Sequence, residues 1–83
     1  MERTRGEASV ELSLTKATKV RAELFDVQGR LVRTVEDGML AAGLQTLRWD
    51  GRLTDGSPAA AGVYWFRVNA AGVVKTSRLV ILR

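Results

Sequence analysis

The residues of this chain with chemistry to offer gather in one stretch, where Trp49-Asp50-Gly51 is followed by Thr54-Asp55-Gly56-Ser57-Pro58. Two carboxylates beside two hydroxyls suggest either a hard-cation site or an activated nucleophile. Neither assembles. An EF-hand-like loop needs ligands at alternate positions and a closing bidentate Glu, and here Arg52 would place a cation inside the site. Thr54 and Ser57 have nothing to activate them, because the chain holds no His and no Cys. Asp50 and Asp55 are better read as turn-makers whose carboxylates accept from local backbone N–H groups. Glu7, Glu11, Glu23 and Glu36 have Arg nearby in sequence and read as surface pairs. No triad, dyad or ligand set emerges, so the expectation is a protein without catalysis, cofactor or metal.

The elements that position this stretch are strands. Alternation of apolar and polar residues dominates and helical periodicity is weak. Val10, Leu12 and Leu14 mark a strand over 8–14, and Val20, Ala22 and Leu24 a second that runs through Phe25. Asp26-Val27-Gln28-Gly29-Arg30 reads as a tight hairpin, with Gly29 supplying the left-handed residue of a bulged loop. The three-residue step from Val32 to Val35 breaks alternation and predicts a bulge in the returning strand. Glu36-Asp37-Gly38 reads as a further turn, and 39–43 as a short strand or crossover. Strands follow over 44–49, 63–70 and 73–82, the last two joined by a tight turn at Ala71-Gly72. Six to seven strands, with turn signals every 8–12 residues, predict an all-β antiparallel sandwich or small barrel. Its expected core is Val20, Leu24, Val32, Leu47, Trp49, Tyr64, Phe66, Val68 and alternate residues of the last strand.

Composition narrows the partners. The 83 residues read as one domain, 1–83, with 13 Lys+Arg against 9 Asp+Glu and a net charge of +4. The cations are scattered rather than clustered beside exposed aromatics, which argues against a nucleic-acid track. No apolar run nears the ~20 residues of a membrane span, and the polar start Met1-Glu2-Arg3-Thr4-Arg5 lacks the apolar core of an export signal. In the consecutive Tyr64, Trp65 and Phe66, Tyr64 and Phe66 should face the core, leaving Trp65 outside beside Arg67. Such a Trp is a sugar-stacking platform, an interface anchor, or a ring folded over its own sheet against Arg67 or Arg78.

The ordered set Val20-x-x-x-Leu24-Phe25-Asp26-Val27-x-Gly29-Arg30-x-Val32, Trp49-Asp50-Gly51, Asp55-Gly56 and Ala61-Gly62-Val63-Tyr64 resembles bacterial immunoglobulin-like domains of the flagellar hook-capping type. It also resembles the similar C-terminal sorting domains of type IX secretion substrates. The resemblance runs from about Val10 to Arg83. It implies an immunoglobulin-like β-sandwich at the C-terminus of a larger exported protein, secreted or held at the cell surface, with any export signal upstream. It also implies structural roles for Gly29 and Gly62, alongside the turn residues Asp26, Asp50, Gly51, Asp55 and Gly56. The final strand would belong to the recognition surface, giving Trp65, Arg67, Arg78, Val80, Ile81, Leu82 and Arg83 as candidates. The expected partner is a protein, either a secretion component or an upstream domain of the same polypeptide. Sorting domains usually open with a Tyr-Pro-Asn-Pro-like segment that is absent here, and an edge left unpaired invites a second copy of the chain. The alternatives are a structural assembly or spacer domain and a glycan-binding accessory module; a chain end at Arg83 favours the sorting reading over an inserted assembly domain.

Overall fold

Strand-forming runs separated by Gly-containing turns fold here into two sheets. The structure is a computed structural model that describes residues 2–82. Seven strands follow in order: β1 (Glu2–Thr4), β2 (Ala8–Leu14), β3 (Thr18–Asp26), β4 (Leu31–Leu40), β5 (Gly43–Trp49), β6 (Gly62–Ala70) and β7 (Val73–Ile81). A five-stranded sheet runs β1-β7-β6-β3-β4, and β2 pairs with β5 in a two-stranded sheet packed over it. Every neighbouring pair is antiparallel except β1 and β7, which run parallel. The result is an immunoglobulin-like antiparallel β-sandwich. No helix of the described residues is long and apolar enough to cross a membrane.

The period of two decides the core. Val20, Ala22 and Leu24 of β3, Leu47 and Trp49 of β5, and Tyr64, Phe66 and Val68 of β6 turn inward and are buried. Leu79 and Ile81 of β7 join them, together with the small residues Ala8 and Ala59. Trp49 anchors the centre: its ring lies 5.5 Å from that of Tyr64, and its Nε1–H donates to the Arg52 carbonyl at 2.8 Å.

The β3–β4 hairpin closes as its residues dictate. The Gly29 N–H donates to the Asp26 carbonyl at 2.9 Å, with Gly29 at φ 83. The register of β4 then slips twice, passing over Val32 and Val35, and both side chains reach the core as half-buried residues. Two bulges convert the awkward three-residue step into two inward-facing valines.

Two expectations are corrected. Glu36-Asp37-Gly38 does not turn the chain: Glu36, Asp37 and Gly38 lie within β4 opposite Ala22, Arg21 and Val20. Asp and Gly are poor strand formers, but pairing along the whole of β3 outweighs that preference. The turn comes at Ala41 and Ala42, where Gly43 takes φ 111. The polar N-terminus is also a strand, because Glu2, Arg3 and Thr4 pair with Leu79, Val80 and Ile81. That pairing covers one end of the β7 edge.

Candidate functional site

The outer face of the five-stranded sheet carries the candidate surface, and register places its residues. With Leu24 and Phe66 inward, their neighbours Phe25 and Trp65 must point outward, directly opposite one another on β3 and β6. Trp65 in turn faces Arg78 on β7, while Val63 faces Val80 one pair further along. Phe25, Val63, Trp65 and Val80 are half-buried and form an apolar patch at the end of the face where β3 finishes and β6 begins.

Two cations lie on this patch. The Arg78 guanidinium sits 5.8 Å above the Trp65 ring, and that of Arg67 sits 5.9 Å above Phe25. Each contact contributes about 0.5–1 kcal/mol at an exposed site. A guanidinium lying over a ring keeps its N–H edge available to a carboxylate. Among the described residues neither arginine is in an ion pair; Glu23, opposite Arg67, is instead bonded by Arg21 Nε at 3.2 Å.

The sequence candidates do not all meet here. Trp65, Arg67, Arg78 and Val80 share the face. Ile81 does not: it is 1% exposed and belongs to the core, because it has the same inward parity as Leu79. Leu82 lies just past the strand, 47% exposed, and Arg83 falls outside the described residues. Phe25 is the member sequence reasoning missed, although the inward alternation of Val20, Ala22 and Leu24 already implied its outward direction.

The loop between β5 and β6 holds the carboxylates first singled out. Asp50 Oδ1 accepts from the Arg52 N–H at 3.0 Å and from Arg33 Nη1 at 3.2 Å. Asp55 Oδ1 accepts from the Ser57 hydroxyl at 2.6 Å and its N–H at 2.9 Å, and these bonds, the hydroxyl first, hold the carboxyl below its ordinary range. Thr54 ties the loop to β4, its N–H and Oγ1 both donating to the carbonyl of the bulged Val32 at 3.0 and 2.9 Å. The carboxylates thus build the loop. Among the described residues no cluster of three or more His, Cys, Asp or Glu could hold a metal ion.

Comparison with known proteins agrees with this architecture. Basal-body rod modification protein FlgD of Escherichia coli is 46% identical over 55 residues, 66% of this chain and 24% of that protein. The chain therefore spans about a quarter of the length of the curated relatives it matches. Among solved structures, dimeric latent PorU from Porphyromonas gingivalis superposes with a TM-score of 0.77 at 17% identity, over 99% of this chain and 9% of that one. PorZ of the same organism, an essential surface component of its type IX secretion system, gives 0.62 at 22% identity over 94% and 12%. The family described as FlgD Ig-like domain matches residues 2–72, and the chain belongs to that family.

Proposed function

We propose that the domain is a non-catalytic docking module of an exported bacterial protein, acting outside the cytoplasm as a C-terminal sorting or attachment signal. The observation that carries this reading is the outer face of the five-stranded sheet. There Phe25, Val63, Trp65 and Val80 are half-buried, with a guanidinium stacked on each of the two rings, a surface suited to a protein partner. The partner is a secretion component or a neighbouring domain of the same polypeptide. The sorting setting is supported by the fold shared with PorZ and PorU. A glycan platform is less well supported, because Arg78 occupies the Trp65 ring face a sugar would need.

A second reading, assembly as in hook capping, is favoured by the 46% identity to a basal-body rod modification protein. A reporter fusion separates the two. Residues 1–83 are joined to a periplasm-directed fluorescent protein in a bacterium with type IX secretion, and surface plus medium signal is counted. Deleting residues 80–83 would be a poor control, since it removes the buried Ile81. Trp65→Ala and Arg78→Glu are better, with folding checked by circular dichroism. Export that either folded variant abolishes supports sorting through this face. Export untouched by both moves recognition elsewhere, and a folded reporter retained in the periplasm favours assembly.

A further inference from the structure

Charge is unevenly divided along this chain. Residues 1–55 carry nine cations and nine acids, so the net charge of +4 lies wholly in residues 56–83, which contain no Asp or Glu. Those residues build β6 and β7, and two of their cations, Arg67 and Arg78, stand on the outer face of the five-stranded sheet. The outer face of the smaller sheet is balanced. There the period of two turns out Ser9, Glu11 and Ser13 beside Leu44, Thr46 and Arg48, one acid against one cation.

Register carries the two arginines to the apolar patch rather than to an acid. Arg67 stands opposite Glu23, but the Glu23 carboxylate is bonded by Arg21 Nε, and the Arg67 guanidinium lies over Phe25 instead. Asp37, on the same face, is likewise opposite Arg21. Arg78 stands opposite Trp65 and lies over its ring. Because Phe25 and Trp65 are themselves a cross-strand pair, the two guanidiniums occupy neighbouring rings. Val63 and Val80 form the next pair along, and the exposed Leu31 stands opposite Phe25.

This arrangement selects its occupant. A guanidinium already held flat on a ring loses less freedom when its fork pairs with a carboxylate, and apolar surface beside it strengthens the pair by excluding water. A second copy laid on the patch would bring guanidiniums to guanidiniums. A lipid surface takes up side chains that protrude, whereas Phe25 and Trp65 are half-buried with a cation on each. An acidic protein surface meets neither obstacle.

We propose that this patch docks a partner protein through neighbouring Asp or Glu carboxylates, which pair with Arg67 and Arg78 while adjoining apolar side chains rest on Val63, Val80 and Leu31. This rests on the reading of the outer face as the docking surface and adds what the partner presents to it.

The test titrates the ¹⁵N-labelled domain with three probes. They are the end-blocked peptide Leu-Asp-Asp-Leu-Asp-Asp-Leu, its counterpart with Asn in place of every Asp, and phosphatidylglycerol vesicles. The Asp peptide should move the Nε–H signals of Arg67 and Arg78 and the indole N–H of Trp65. The indole of Trp49, bonded to the Arg52 carbonyl, should stay in place. The Asn peptide should bind about tenfold more weakly or worse, and combining Arg67→Gln with Arg78→Gln, both exposed, should weaken the Asp peptide to the same degree. Equal binding of the two peptides, Asp-peptide shifts that bypass both arginines, or no shift at millimolar concentration would each overturn the inference. Vesicle binding in place of peptide binding would replace the protein partner with a lipid surface. In the export reporter, a signal lost with Trp65→Ala but kept in the folded double Gln variant would sink this inference and leave the docking reading standing.

Discussion

Gly51 shows how one residue can be fixed by its surroundings. It sits at φ 80, and a Cβ there would lie 2.0 Å from the carbonyl oxygen of Gly6, where the chain passes from β1 to β2. Backbone against backbone leaves nothing to yield. Gly29 has a similar φ of 83 but open space around it. Gly51→Ala should therefore cost well over the ~1–2 kcal/mol of the left-handed conformation alone, while Gly29→Ala should cost about that much. Urea denaturation of both variants checks this; equal losses would contradict it. Asp26 supplies a pH-dependent counterpart. Its Oδ1 accepts from the backbone N–H of Arg30 at 3.0 Å and of Gln28 at 2.9 Å, and Arg30 Nε donates to Oδ2 at 2.9 Å. These bonds, the Arg30 backbone N–H foremost, hold the carboxyl below its usual range despite partial desolvation. Because the folded value is the lower one, the stability it confers is complete above the unfolded value of about 3.9 and is lost as pH falls through the folded value. Melting temperatures of the wild type should drop below about pH 4, and Asp26→Asn should flatten that drop. An unchanged slope would remove Asp26 from the account.

At the level of elements, β1 is the strand sequence patterning could not see. Three polar residues carry no periodicity, and they are ordered by what β7 offers: an edge at Leu79, Val80 and Ile81, continued by the Leu82 N–H donating to the Thr4 carbonyl at 2.7 Å. Thr4 Oγ1 also donates to the Glu7 carbonyl and accepts from the Gly6 N–H, shaping the crossing to β2. Removing residues 1–4 should lower stability by about 1–3 kcal/mol, the scale of a few edge hydrogen bonds. It should also release the Leu82 amide to rapid hydrogen exchange while the amides of β3 and β6 keep their protection. Full protection at Leu82 after truncation would mean that β1 does not hold that edge. That β4 is bulged was legible, by contrast, because Val32 and Val35 cannot both face inward in a regular strand, but the sequence pointed to one bulge where β4 has two.

For the molecule as a whole, the sequence by itself determined the strand count to within one, the inward residues of β3, β5 and β6, the hairpin at Asp26 and Gly29, and the carboxylates as loop-builders. Each follows from local rules: period-two alternation, left-handed glycines and short-range acceptors. Tertiary structure alone decided the rest. Asp37 and Gly38 became strand because β3 extends beside them, and Ile81 left the recognition surface for the core. Phe25 and Trp65 met, and each gained a guanidinium, through register between strands some forty residues apart in sequence. That two strands lie over five is a fact of sheet assignment no local pattern encodes. The physical reason is common to these cases: side-chain direction is set within a strand, but what a side chain meets is set by which strand pairs alongside and which sheet packs above.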